Sequence, residues 1–280
     1  MNLETYAENT WCKGCGNFGL LNSFKDAVSE LVEEGALRAE NMVISSGIGC
    51  HGKTVDYLNL NSFYSLHGRA ISCVSGMKIA NPNLTVVAFQ GDGDAFGEGI
   101  AHVVFSAKRN IDATLLVHDN SVYGLTTGQF TPTSEKGFKG KSTPRGSIEE
   151  PMNPLALVLA SGGTFVARGF VGKRKHLVGL FKKALLHKGF SFVNVLQPCV
   201  TFNNTYSRYR ESTYILEDEG HDATDFQAAW GKARETERIP IGLLYQVERP
   251  TFNDLLLEGL VPAEPRAPPL SAISEIISER

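Results

Sequence analysis

Leu84 to Phe89 reads LTVVAF, six residues that are all apolar or β-branched, and it runs straight into Gly91-Asp92-Gly93-Asp94 before a helical pattern opens at Gly97. A strand that is hydrophobic on both faces needs helices on both faces, so this stretch points to a parallel sheet in an α/β fold. The glycines after it leave backbone N–H groups free at the helix start, where they suit phosphate oxygens. A second buried strand, Ala113 to Val117, is followed by His118-Asp119-Asn120-Ser121-Val122-Tyr123-Gly124, with Asn120 28 residues after Asp92. In open parallel sheets ligands settle at the carboxyl ends of strands, which is where Asp92 and Asn120 both fall.

The rest of the chain keeps the alternation. Phe18 to Glu34 has helical spacing and stops at Gly35; Met42 to Ser46 reads as a strand; Arg69 to Ala80 reads as a helix ending at Asn81-Pro82. Thr126 to Pro151 has no periodicity and reads as a long functional loop. Beyond it the pattern predicts a helix over Asn153 to Ala160, a strand over Thr164 to Ala167, a basic helix over Lys173 to His187, and a buried strand over Phe190 to Leu196. Ile241 to Tyr245 is strand-like. A domain over residues 1–205 and a C-terminal extension over 206–280 are expected, the latter packed on the same domain or on a partner, with an extended linker near 263–269.

Composition removes several function classes. With 280 residues, 42% of them hydrophobic, the chain can bury one large core. Lys plus Arg number 27 against 30 Asp plus Glu, so no charge excess recommends nucleic acid or an anionic membrane. No apolar run is long enough for a transmembrane helix, and the polar amino terminus is unlike a secretory signal, so a cytoplasmic location is expected. Five cysteines, an odd number in that compartment, argue for metal ligation or buried thiols over disulfides.

Magnesium takes six oxygen ligands and usually keeps substrate phosphates among them. A carboxylate oxygen of Asp92, the amide oxygen of Asn120, the main-chain carbonyl of Val122 and two diphosphate oxygens leave room for one water. No Gly-x-Gly-x-x-Gly opens the helix, which disfavours a nicotinamide cofactor. Cys12 and Cys15 form a Cys-x-x-Cys pair, while Cys50 and Cys199 each follow a strand, on the phosphate side of the sheet. Spacing alone favours structural zinc or inert thiols over an iron–sulfur cluster. Cys73, inside a helical run, reads as an ordinary buried thiol.

Six segments then act together: Trp11-Cys12-Lys13-Gly14-Cys15-Gly16-Asn17, Ser46-Gly47-Ile48-Gly49-Cys50, Leu66-His67-Gly68-Arg69-Ala70, Gly91-Asp92-Gly93-Asp94, the run from Asp119 to Thr126, and Leu196-Gln197-Pro198-Cys199. In combination they resemble the β subunit of the 2-oxoacid:ferredoxin oxidoreductases, over about residues 6 to 205. The resemblance implies a thiamine diphosphate (TPP)-binding fold, a 4Fe–4S cluster on Cys12, Cys15, Cys50 and Cys199, and TPP held with Mg2+ by Asp92, Asn120 and the Val122 carbonyl. It also implies cofactor contacts from Ile48, Gly49, Cys50, His51, His67, Gly93, Asp94, Gly124 and Leu125. The implied activity is CoA-dependent oxidative decarboxylation of a 2-oxoacid, with single electrons passing from TPP through the cluster to ferredoxin. 2-Oxoglutarate is favoured, within a range that can include pyruvate. The implied partner is an α subunit, in an αβ or α2β2 enzyme, that supplies the glutamate pairing with the aminopyrimidine.

His51 and Thr127 depart from the family pattern, where a smaller Ser or Thr and a Lys or Gly are familiar. Lys53 and His67 are the candidate catalytic residues, Lys53 for a substrate carboxylate. His102, His118, His187 and His221 receive no role, and Lys173-Arg174-Lys175 reads as an exposed helix face. Two other classes compete: a non-redox TPP-dependent decarboxylase or ligase subunit with structural zinc, and a non-catalytic scaffold that keeps a structural metal.

Overall fold

Alternation along the central strands decides the layering. In β3 (Thr85–Gly91) Val86 and Ala88 face one core and Val87 and Phe89 the other; in β4 (Ala113–Asp119) Leu115 and Val117 join the first and Leu116 the second. Both strands are buried on both sides, as an uninterrupted apolar run requires. The remaining strands are β1 (Met42–Ser46), β2 (Asn61–Tyr64), β5 (Phe165–Phe170), β6 (Phe190–Leu196), β7 (Thr213–Ile215) and β8 (Ile239–Gln246). In this computed structural model, which describes residues 1–264 and Ser278, they make one sheet in the order β2-β1-β3-β4-β6-β5-β8-β7. The sheet is parallel except where β8 meets β5 antiparallel, so β8 and β7 run against the rest.

Helices cover both faces. On one, α1 (Gly16–Glu33) packs Leu20, Phe24, Val28 and Leu31 beside Leu177 and Phe181 of α5 (Arg174–Leu186), against Ile44, Phe89 and Val193 of the sheet. On the other, α2 (Ala70–Ala80), α3 (Ile100–Arg109) and α4 (Pro154–Ala160) bury Ile71, Val103 and Val158 against Val86, Val117 and Phe192. The C-terminal segment supplies α6 (Tyr206–Ser212), α7 (Phe226–Ala233) and α8 (Phe252–Leu257) as well as β7 and β8. The linker expected over 263–269 lies outside the described residues from position 265 onward.

The helix expected from Gly97 starts at Ile100, because Gly93–Glu98 forms a wide π-helical turn. A side chain at Gly93 would lie 2.3 Å from the Tyr123 ring, so the turn tolerates only glycine there. Such bulges cluster at functional sites, and this one opens the phosphate end of β3. Arg174 and Lys182 pair with Asp26 and Glu30 of α1 and with Glu34 at its C-terminal cap, so the basic face of α5 is partly neutralised by its neighbouring helix.

Candidate cofactor cleft and thiol cluster

Because β1, β3, β4 and β6 are parallel and adjacent, the segments that follow them meet at one edge of the sheet. A cleft opens there. Ile48, Gly49, Cys50 and His51 line it from the segment after β1, Asp92, Gly93 and Asp94 from the turn after β3, and Asn120, Val122, Gly124 and Leu125 from the segment after β4. His67 reaches it from the segment between β2 and α2. Every residue assigned to the cofactor or to magnesium on the sequence is therefore brought to one place.

Asp94 ties three of these segments together. Its carboxylate accepts N–H bonds from Ile48 (3.1 Å), Gly68 (2.7 Å) and Gln90 Nε2 (3.0 Å), with His67 Nδ1 at 3.1 Å and His51 Nε2 at 3.5 Å. Burial pushes its pKa up, but His51, the Gly68 N–H and Gln90 outweigh it and hold the carboxyl below its usual range. A Cβ on Gly47 would sit 1.9 Å from Asp94 Oδ2, so glycine is required for that close approach.

Asp92 stands in contrast. It is buried and accepts from Thr133 Oγ1 at 2.7 Å and from the Asn120 N–H at 3.4 Å, and among the described residues no cation pairs with it. Burial first, and then the neighbouring Asp119, push its pKa up to about 7. A buried carboxylate in this state is relieved by a bound cation. Asn120 Oδ1 accepts the Val122 N–H at 3.1 Å, and Ser121 between them holds a left-handed φ of 52°. Non-glycine residues adopt that conformation uncommonly, at tight turns and helix ends. The residues present thus fit a diphosphate-bound Mg2+ at Asp92, Asn120 and Val122.

Sequence reading missed two contributors. His118, the sixth residue of β4, lines the cleft; its Nδ1 lies 2.8 Å from Asn17 Oδ1, its ring centroid is 5.6 Å from His51, and its Nε2 is buried without a partner. Burial, with His51 next, holds its pKa well below the ordinary value, so the imidazole is neutral. The available signal was a histidine inside a wholly buried strand. Thr133 was hidden in an aperiodic loop, yet its hydroxyl bridges Asp92, Asp119 and Ser121.

All five cysteines are free. Cys50 and Cys199 flank Gly124: a Cβ on that glycine would lie 3.6 and 3.7 Å from their sulfurs. Cys15 lies near enough to Cys199, Cys50 and Cys12 for all three to raise its pKa, which burial chiefly pushes to about 11. Thr201 Oγ1 lies 3.5 Å from Cys12 Sγ and Gln197 Nε2 3.7 Å from Cys15 Sγ, which joins the Cys-x-x-Cys segment to the Cys199 segment. Among the described residues no three His, Cys, Asp or Glu side chains are close enough to enclose a single metal ion. The donor set, four soft ligands around a common space, still fits a group larger than one ion. Cys73 sits apart in α2.

Lys53 is not brought into the cleft. Its ammonium bonds Thr10 Oγ1 and lines a separate depression with Tyr6, Glu8 and Asp56.

Residues 47–195, which hold all of the cleft residues, match the family model for the C-terminal TPP-binding domain of thiamine pyrophosphate enzymes. Residues 199–258 match the C-terminal model of the pyruvate ferredoxin oxidoreductase β subunit. A 2-oxoacid:ferredoxin oxidoreductase β subunit from Sulfolobus sp. is 43% identical, over 86% of this chain and 82% of its own. The β subunit of 2-oxoacid:ferredoxin oxidoreductase 2 from Aeropyrum pernix is 40% identical, over 99% and 92%. A solved structure of 2-oxoglutarate:ferredoxin oxidoreductase from Magnetococcus marinus, with 2-oxoglutarate, coenzyme A and succinyl-CoA bound, superposes with a TM-score of 0.87 at 36% identity, covering 99% of this chain and 89% of that one. With the TPP-type cleft at the strand ends and these relatives spanning nearly its whole length, the chain belongs to the β subunits of the 2-oxoacid:ferredoxin oxidoreductases.

Proposed function

We propose that this β subunit works with its α subunit in the CoA-dependent oxidative decarboxylation of 2-oxoglutarate, delivering electrons one at a time to ferredoxin. The observation that carries the reading is Gly124, which lines the cleft on one side and meets the Cys50 and Cys199 thiols on the other. A glycine there leaves no side chain between cofactor and cluster. When bound, TPP would supply carbanion stabilisation and a 4Fe–4S cluster on Cys12, Cys15, Cys50 and Cys199 would supply one-electron transfer.

The chain's own residues bind and orient. Asp92, Asn120 and the Val122 carbonyl are assigned to Mg2+, and Gly93 with the turn after it to the diphosphate. Asp94 binds the Ile48 and Gly68 N–H groups and lies beside the His51 and His67 rings, which ties the cleft's walls to one carboxylate. His67, partly exposed beside Asp94, is assigned to hold or pass a proton at its outer ring nitrogen. No glutamate lines the cleft among the described residues, which supports a carboxylate from the α subunit pairing with the aminopyrimidine. Lys53, which bonds Thr10 outside the cleft, stays assigned to a substrate carboxylate. Ile48, Gly49, Cys50 and Leu125 are assigned to the walls around the cofactor.

The choice of 2-oxoglutarate is supported by the Magnetococcus marinus enzyme, which binds it. We place the enzyme in the cytoplasm, where free cysteines persist; among the described residues no helix is long and apolar enough to cross a membrane. The test is anaerobic co-purification with the α subunit and an assay of 2-oxoglutarate and pyruvate with CoA and ferredoxin. CoA-dependent ferredoxin reduction with higher kcat/KM for 2-oxoglutarate is expected. A colourless zinc protein that decarboxylates without reducing ferredoxin would overturn the redox reading.

A further inference from the structure

Under the loop of residues 126–151 lies a second cavity, which shares a wall with the cofactor cleft: Thr133 lines it and bonds Asp92 on the cleft side. Arg168, from β5, faces into it. The Arg168 Nε is buried without a hydrogen-bond partner, and among the described residues no carboxylate closes an ion pair on its guanidinium. The acid that acts on it, Asp119, already accepts from Ser121 Oγ (3.0 Å), Thr133 Oγ1 (3.2 Å) and Asn194 Nδ2 (3.0 Å). The other cations of the cavity are engaged, Arg208 with Glu135 and Lys136 with Glu150.

A guanidinium offers five N–H donors in a planar fork and does not lose its charge at any ordinary pH. The Nε–H, buried without an acceptor, carries a desolvation cost that two parallel bonds to one anion, one of them at Nε, relieve. The acids on the wall, Asp119, Glu135 and Glu235, each have partners, so among the described residues none supplies the Arg168 Nε–H with an acceptor. The Tyr209 phenol, buried in the same wall and with its pKa pushed by burial to about 12, stays a neutral donor beside it.

We propose that this cavity is a small-anion site, distinct from the cofactor cleft, in which Arg168 binds the carboxylate or oxyanion group of a small ligand through its guanidinium fork. The site does not rest on the substrate or redox assignment above.

The test uses the αβ enzyme loaded with TPP and Mg2+, so that the phosphate positions of the cleft are filled. Calorimetric titrations with succinate and, separately, with inorganic phosphate are run at constant ionic strength on the wild type, Arg168→Met and Arg168→Lys. An Arg168-dependent, saturable component is expected for at least one anion, weakened about tenfold or more in Arg168→Met and only partly restored by Arg168→Lys, which keeps the charge and loses the fork. Tighter succinate identifies a carboxylate ligand, and tighter phosphate an inorganic oxyanion. Absence of any Arg168-dependent component for both anions overturns the proposal. Should Arg168→Met fail to fold, Arg168→Lys decides: unchanged affinity overturns it and a several-fold loss supports it.

Discussion

The cofactor cleft and the thiol rim occupy the same edge of the sheet but are held together differently. In the cleft, Asp94 alone gathers N–H groups from three segments, and Thr133, Ser121 and Asn194 tie the acids behind it to the sheet. At the rim, Cys12 is exposed and the segments meet through a few bonds, such as the Gly16 N–H to the Pro198 carbonyl and Trp11 Nε1 to the Cys50 carbonyl. The cleft is therefore organised by the chain's own hydrogen bonds, with Asp92 as the charge that the described residues leave unbalanced. The rim has fewer such bonds, and burial, with the neighbouring thiols, raises the Cys15 pKa to about 11.

Removing that unbalanced charge has the largest expected effect. Asp92→Ala is expected to lower the affinity for Mg2+ and TPP by on the order of a hundredfold or more, because it removes the one charged protein ligand proposed for the metal, while iron content is unchanged. Equilibrium dialysis of TPP beside iron analysis checks both halves, and parallel loss of iron breaks the claimed independence of cleft and rim. Cys199→Ser has the converse outcome: roughly all of the cluster iron is lost or becomes labile, since a hydroxyl is a poor replacement for thiolate, while TPP binding persists. Cys73→Ser leaves iron unchanged, and an iron requirement for Cys73 would show the ligand set to be wrong.

Gly47→Ala tests the preorganised side. A methyl group 1.9 Å from Asp94 Oδ2 displaces the carboxylate, and a loss of about 1–3 kcal/mol in denaturant unfolding is expected. Wild-type stability in this variant would mean that Asp94 is not held as tightly as described. The pH dependence probes Asp92 directly. Mg2+ needs the carboxylate, and its pKa is raised to about 7, so below that pH a proton must leave before the metal binds. Affinity for Mg2+ and TPP should rise about tenfold per pH unit up to about 7 and then level off. A flat profile from pH 5 to 8 contradicts the assignment. The smallest effect concerns Lys53→Ala, for which a KM for 2-oxoglutarate raised by roughly tenfold or less is expected, with pyruvate turnover less changed. Equal loss on both substrates would move Lys53 to a group they share, and no loss would leave it on Thr10.

The legible parts of the molecule were those written in local pattern. The uninterrupted runs of β3, β4 and β6 and the spacing of Leu20, Phe24, Val28 and Leu31 in α1 carry their own burial signal, so sheet type and layering followed from the residues. The positions of Asp92, Asn120, Cys50 and Cys199 followed as well, because strand ends in a parallel sheet share an edge. What escaped lacked such a signal. β2 has all four residues exposed and β7 has only three, and the reversal of β8 depends on pairing with β5 across the sheet. Lys53 was assigned from its nearness in sequence to Cys50, but a helical turn over Cys50–Asp56 carries its side chain away from the cleft. Thr133 and Arg168 matter through contacts with residues distant in sequence, which no spacing rule reports.

The central claim, a TPP cleft beside a four-thiol redox cluster, is tested most directly by metal and sulfide analysis of the anaerobically purified αβ enzyme, wild type against Cys199→Ser. The account predicts that the wild type holds about four more iron atoms and acid-labile sulfides per β chain than the variant, with TPP equal in both. One zinc per β chain, lost in Cys199→Ser with no difference in iron, would contradict it.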